Sequence, residues 1–141
     1  MNEAAACLFC DIRDKKIKAE VVYEDDHTIG LLDIQPRAPG HTMVIPKVHA
    51  ETILDLPDEE IGPLFLAVKR LAGAVLRAVG ASGLTVGVNH GRASGQIVNH
   101  LHVHLLPRFE GDRGGSVHSV VNNPPAESVS ETAEKIRSKL Q

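Results

Sequence analysis

The sequence predicts an α+β domain with an antiparallel sheet, and three observations carry that reading. β-Branched runs stand on both sides of a single long amphipathic segment. Most links between those runs are of hairpin length. The chain is 141 residues long with 43% hydrophobic and 23% charged residues, which suits one domain with a packed core.

In chain order, Cys7 to Ile12 is a short stretch of about one helical turn. Val21–Tyr23 and Thr28–Leu32 flank the polar turn Glu24-Asp25-Asp26, as in a hairpin. Gln35-Pro36-Arg37-Ala38-Pro39-Gly40 is a loop, because its prolines and glycine leave no regular donor pattern. His41 to Ile45 resumes as strand and stops at Pro46. From Asp58, the apolar residues Ile61, Leu64, Phe65, Val68, Leu71, Ala72, Val75, Leu76 and Val79 form one face of a helix, and Gly80 ends it. Pro63 falls in the first turns, where most N–H groups have no helical partner to lose. Leu84 to Val88 is a strand, Asn89 to Gln96 a Gly-rich loop, and Asn99 to Pro107 a strand with strict alternation at its centre. Residues 1–110 make the body of the domain. Residues 111–141 are a tail of the same domain, with a terminal helix from Glu127 to Leu140.

Composition removes several function classes. Lys plus Arg is 15 against Asp plus Glu of 18, a net charge of −3, so the chain does not coat nucleic acid through a basic face. Tyr23, Phe9, Phe65 and Phe109 are too few for a base-stacking platform, and no nucleic-acid partner is expected. Two cysteines exclude a disulfide scaffold. The most apolar stretch, Ile61 to Val79, is broken by Pro63, Lys69, Arg70 and Arg77, so no membrane span or membrane partner is expected. With no charged segment followed by an apolar run at the N-terminus, the expected compartment is cytoplasmic, where Cys7 and Cys10 stay reduced.

Eight histidines are the conspicuous excess, and three of them alternate: His100, His102 and His104, separated by Leu101 and Val103. On a strand these imidazoles point outward together while Leu101, Val103 and Leu105 enter the core. Burial of the apolar set fixes the register, because a slip of one residue would drive all three rings inward. With a rise of about 3.3 Å per residue, His100 and His104 are about 13 Å apart at Cα, too far to share one tetrahedral ion with His102. The three rings therefore divide their roles.

The run His100-Leu101-His102-Val103-His104-Leu105-Leu106 resembles the full signature of the histidine triad (HIT) superfamily, His-φ-His-φ-His-φ-φ with φ apolar. The likeness extends from about Cys7 to Phe109 and includes Leu32-Asp33-Ile34, Pro39-Gly40-His41, Ile45-Pro46-Lys47-Val48-His49, Asn89 and Gly95-Gln96. It implies a HIT fold: about five antiparallel strands, one long helix and a short N-terminal helix, paired into a homodimer around the long helix and a strand edge. It also implies a nucleotide hydrolase acting at the α-phosphorus of a purine nucleotide conjugate. His102 is carried over as the nucleophile, forming a nucleotidyl-histidine that water resolves, and His104 as the contact to phosphate and leaving group. Neutral imidazole is available near pH 7 and its phosphoramidate is labile, so one hard displacement becomes two easier ones, and no metal is required for that step.

The resemblance assigns further residues. Gly95 lets backbone N–H groups approach a phosphate, while Gln96 and Asn89 donate to it without adding charge. Asp33 is the ribose carboxylate, and Phe9, Leu31 and Ile34 enclose the base. Two departures stand out from the phosphoramidase branch of the family. Ile97 occupies the place of a serine that reaches the scissile bond there, and the tail lacks that branch's Trp. Leu106-Pro107-Arg108 instead resembles dinucleoside polyphosphate hydrolases, and a nucleotide-binding regulatory module with weak activity is a further alternative.

Cys7-Leu8-Phe9-Cys10 is a C-x-x-C pair that suits two ligands of tetrahedral Zn²⁺. The same pair also reads as two reduced cysteines acting as small apolar core groups, or less well as a redox pair. Similarity to bacterial HIT proteins supplies His49 and His100 as the other two ligands of a structural zinc. His27, His90 and His118 receive no role, and His41 is expected to be structural.

Overall fold

The structure, a computed structural model, describes residues 6–140. Its elements are α1 (Leu8–Arg13), β1 (Val21–Glu24), β2 (Thr28–Leu32), β3 (Thr42–Pro46), α2 (Asp58–Val79), β4 (Gly83–Gly87), β5 (Val103–Arg108) and α3 (Val129–Lys139). The strands form one antiparallel sheet in the order β1-β2-β3-β5-β4, so β1 and β4 are its edges. This is the α+β architecture the strand and helix patterns predict. Among the described residues, no helix is long and apolar enough to cross a membrane.

The turn between β1 and β2 is organised by Asp25. Its carboxylate accepts from the Tyr23 hydroxyl at 2.6 Å, from the backbone N–H groups of His27 and Thr28 at 2.8 Å each, and from the Thr28 hydroxyl at 2.9 Å. Burial alone would raise its pKa, but these donors favour the ionised form and lower it to about 2.

Helix α2 starts after Pro57 with Asp58, Glu59 and Glu60 in its first turn, where the helix dipole favours negative charge. It ends at Gly80, which adopts φ 66°, a left-handed conformation suited to glycine. Its apolar stripe covers one face of the sheet, packing Leu64, Ala67, Val68 and Leu71 against Val44, Leu101, Val103 and Leu105. Gly30 permits this approach, since a Cβ there would collide with Leu71 Cδ1. On the opposite face α1 lays Phe9, Cys10 and Ile12 against Ile29, Leu31, Met43 and Ile45. The triad emerges on that second face.

Three expectations need correction. The strand predicted from Asn99 to Pro107 enters the ladder only at Val103. Before that point the chain leaves β3, and the Leu101 N–H bonds the Ala50 carbonyl at 2.7 Å instead. The imidazoles do share one side, but they do not all face solvent. His100 is 0% and His102 8% exposed, because α1 roofs them, and only His104 is half-buried at the rim. The terminal helix is also shorter than expected. It begins at Val129 behind a capping box in which Ser128 and Glu131 satisfy each other's backbone N–H groups.

Candidate functional site

The first side chains to converge are Cys7, Cys10, His49 and His100, whose ligand atoms all lie within 4.8 Å of one another. Cys7 caps α1, its Sγ accepting the Cys10 N–H at 3.3 Å, so one turn of helix sets both sulfurs on one side. His100 Nδ1 is 3.3 Å from Cys7 Sγ, 3.6 Å from Cys10 Sγ and 3.2 Å from His49 Nδ1, and Cys10 Sγ is 3.3 Å from His49 Nδ1. A tetrahedron with metal bonds of about 2.0–2.3 Å has edges of about 3.3–3.8 Å, which these separations match. His100 Nε2–H donates to the Pro46 carbonyl at 2.8 Å, and this leaves its Nδ1 lone pair aimed at the sulfurs. Burial lowers the His100 pKa to about 4 against the pull of that carbonyl, with the charges of His49, Arg13 and His102 adding to the lowering. The ring is therefore in the neutral state a metal ligand needs. The four residues can hold a metal ion.

His102 is set by the same segment. Its Nδ1–H donates to the His100 carbonyl at 2.8 Å, and the edge of its ring meets Phe9 at 5.1 Å between centroids. The proton is thereby fixed on Nδ1 and the lone pair on Nε2. Among the described residues no buried side-chain nitrogen or oxygen lacks a hydrogen-bond partner, so Nε2, which makes no such bond, opens to solvent. A mostly buried ring thus presents one nucleophilic atom.

His104 belongs to a second unit with His41 and Asp33. The backbone N–H of Arg37 donates to His41 Nδ1 at 3.1 Å, which places the His41 proton on Nε2. That Nε2–H points to His104 Nδ1 at 2.9 Å, with Asp33 Oδ2 at 3.5 Å. His104 must then carry its own proton on Nε2, facing the open side of the site. Burial lowers the His104 pKa to about 4, helped by the charges of His102 and His41 and opposed by Asp33. Burial also lowers His41, with Asp33 opposing and Arg37 assisting. The pair is a neutral hydrogen-bond donor at neutral pH.

The remaining predicted residues divide. Asp33 stands at the site, its Oδ1 accepting the Gln35 N–H at 2.9 Å. Ile34 beside it is 89% exposed, so it is no core residue. Phe9 and Leu31 are both buried, Phe9 edge-on to His100 and His102. Asn89 is exposed just beyond β4. Gly95 adopts φ 94° at the end of a tight turn, Arg92–Ser94, and its N–H is engaged by the Arg92 carbonyl at 2.9 Å. Gln96 is a brace: its amide donates to the Glu51 and Val98 carbonyls at 2.8 and 3.1 Å and accepts from the Gly91 N–H at 2.8 Å. Both of its N–H groups are occupied within the fold. Ile97, by contrast, is 90% exposed.

The sequence alone gives His41 a structural place and Arg37 no part. What brings them in is the register of β3 on β5, where Met43 pairs with His104 and so sets His41 on the histidine side. Nothing local to His41 announces that register.

Residues 14–111 match the HIT domain family. The chain belongs to it. A HIT-like protein of Methanocaldococcus jannaschii, MJ0866, is 46% identical over 106 residues, which is 75% of this chain and 81% of that one. The adenylylsulfatase HINT3 of Arabidopsis thaliana is 34% identical over 106 residues, covering 75% of this chain and 54% of the longer plant protein. Among solved structures, SMU.412c of Streptococcus mutans superposes with a TM-score of 0.87 at 33% identity over 99% of this chain and 88% of that one. The histidine triad nucleotide-binding protein of Candida albicans does so with a TM-score of 0.78 at 31% identity, over 96% and 94% of the two chains. The five-stranded sheet with its helices is thus the HIT fold.

Proposed function

We propose that this HIT protein binds purine nucleotides and hydrolyses nucleoside phosphoramidates or related nucleotide conjugates at the α-phosphorus, through a nucleotidyl-His102 intermediate. The observation that carries this reading is the Nδ1–H of His102 held by the His100 carbonyl at 2.8 Å, which leaves Nε2 as an aimed lone pair. Nε2 attacks phosphorus as the bond to the leaving group breaks, an amine departing with a proton taken from solvent and an oxyanion without one, and the carbonyl stabilises the positive charge that develops on the ring. His104 Nε2–H, held by His41, hydrogen-bonds the charge that builds on phosphoryl or leaving-group oxygen. Water then attacks phosphorus, the N–P bond breaks, and His102 returns to its starting state.

In this reading Asp33 takes the ribose and Ile34 flanks the base, with Phe9 and Leu31 beneath, while Gly95, Gln96 and Asn89 shape the phosphate side. A structural zinc on Cys7, Cys10, His49 and His100 would tie α1 over the triad, outside the chemical step. We also propose a homodimer. β4 is an open sheet edge, and Val86 on it is exposed together with Phe65 and Leu66 of α2.

The deciding experiment is mass spectrometry of acid-quenched protein during turnover of adenosine 5′-phosphoramidate. An adduct of one adenylyl group on the peptide containing His102, absent in His102→Ala along with turnover, is expected. Turnover that persists in a folded His102→Ala protein overturns the mechanism.

A further inference from the structure

The chain has two cysteines, and both stand at the candidate metal centre. Cys7 and Cys10 are buried, neither is in a disulfide, and their sulfurs lie within 4.8 Å of each other. Their access differs. A cleft of about 310 Å³ lies beside the start of α1, walled by Ala6, Cys7, Leu8, Ile97, Val98 and Asn99. Cys7 is part of that wall, whereas Cys10 is not, and Cys10 Sγ meets His49 Nδ1 at 3.3 Å. A small solute entering the cleft therefore meets Cys7 first.

Two contacts connect this pair to the triad. Both sulfurs approach His100 Nδ1, at 3.3 and 3.6 Å, and the His100 carbonyl accepts the His102 Nδ1–H at 2.8 Å. Between the cysteines in the chain lies Phe9, buried and edge-on to His100 and His102, with ring centroids 5.7 and 5.1 Å away. Residues three apart on a helix hold their Cβ atoms about 5–6 Å apart, and a disulfide needs about 3.5–4.5 Å. Joining the sulfurs therefore draws in the first turn of α1 and moves Phe9 with it.

We infer that Cys7 and Cys10 are a reversible thiol switch, which hydrogen peroxide closes to a disulfide and which thereby releases α1 from over His100 and His102. The inference rests on the structural zinc proposed above and goes beyond it. A bound zinc ion keeps both sulfurs as thiolates, the form that a peroxide oxidises. Cys7 Sγ attacks one peroxide oxygen, the O–O bond breaks, and hydroxide departs from a Cys7 sulfenic acid. Cys10 Sγ then attacks the Cys7 sulfur. The S–S bond forms, the S–O bond breaks and a second hydroxide departs, both becoming water with protons from solvent. Two electrons pass from the sulfur pair to the peroxide. The disulfide withdraws two of the four metal ligands, and His49 with His100 is too small a set to hold the ion. Helix α1 is then fastened by the packing of Phe9 and Ile12 and by Arg13 Nη1 on the Lys47 carbonyl at 2.8 Å. A dithiol reverses the reaction by thiol–disulfide exchange.

The test exposes the full chain, loaded with zinc, to hydrogen peroxide. Released zinc is read with a chromophoric chelator, thiols by alkylation and mass spectrometry, α1 by amide hydrogen exchange, and turnover on adenosine 5′-phosphoramidate. Zinc and both thiols should disappear together, with the peptide spanning Cys7 and Cys10 lighter by about 2 Da. Exchange of the α1 amides should quicken about tenfold and turnover fall about tenfold, both restored by a dithiol with zinc. In Cys10→Ser the Cys7 sulfenic acid has no resolving thiol, and dimedone should capture it at least about fivefold more than Cys10 in Cys7→Ser. Equal capture overturns the cleft as the entry. Zinc that stays bound with thiols intact, or oxidation to sulfinic acid without a disulfide, overturns the switch and leaves the metal site standing. A disulfide that leaves α1 exchange as it was overturns the release, and one that leaves turnover as it was overturns its reach to His102. A chain that takes up no zinc overturns the structural metal and the switch with it. Zinc, thiols and exchange are read on the wild type without substrate, so the switch is decided even where the hydrolase reading or the folding of a variant fails.

Discussion

His41 and His104 form one hydrogen-bonded unit, Nε2 of the first 2.9 Å from Nδ1 of the second, with the orientation set by the Arg37 N–H on the far nitrogen of His41. Neither ring can turn without breaking a bond to the other. His41→Phe keeps a ring in the pocket but removes the donor. We expect kcat on adenosine 5′-phosphoramidate to fall about 10- to 100-fold, with KM changed less than about threefold. A rise in KM at constant kcat would place His41 in ground-state binding instead.

The same unit sets a pH dependence. The His104 pKa is lowered to about 4 from 6.5, chiefly by burial, then by His102 and His41 and against Asp33, and His41 is lowered as well. The unfolded chain binds these protons more tightly than the folded one. This contribution to stability is therefore complete above about pH 6.5 and declines as the pH falls toward about 4. Imidazole NMR should show His104 titrating with a midpoint near 4, and urea midpoints should drop steadily between pH 7 and pH 5. A His104 midpoint at or above 6.5 contradicts the burial argument.

Metal binding should stabilise the fold. Protein purified with zinc is expected to hold one ion per chain, and strong chelation should lower Tm by about 10 °C, the effect of a few kcal/mol in a domain of this size. Cys10→Ser should bind metal poorly and start near the chelated value. Elemental analysis with thermal unfolding checks both, and a Tm indifferent to chelator removes the structural metal.

The proposed homodimer is checked by sedimentation. Leu66→Glu together with Val86→Glu places charge on two exposed apolar positions, on α2 and on the edge strand β4. The wild type should sediment at twice the chain mass and the double variant at the chain mass, with unchanged circular dichroism. A monomeric wild type rules out this interface.

Much of the fold could be read from period and punctuation. The helix from Asp58 to Val79 follows from its apolar steps, and its end from Gly80, because a 3.6-residue stripe and a left-handed stop are local facts. The alternation of Leu101, Val103 and Leu105 correctly puts the triad on the opposite side of the chain from α2. The roof over His100 and His102 was not legible, since it depends on α1 docking from more than ninety residues away. The spacing of Cys7 and Cys10 is local, but their meeting with His49 and His100 is tertiary. Gln96 illustrates the limit of residue chemistry, because its amide is free to donate in the sequence and fully engaged in the fold.

His100 turns its side chain toward two sulfurs and its carbonyl toward the next ring in the run. One residue therefore serves two neighbours through different parts of itself. In the proposed mechanism, a disturbance of the thiols that shifts His100 would also shift the carbonyl that the His102 Nδ1–H meets at 2.8 Å, and with it the direction of the Nε2 lone pair. Damage at the cysteines would then register as poor aim several ångströms away, well before the domain lost its shape.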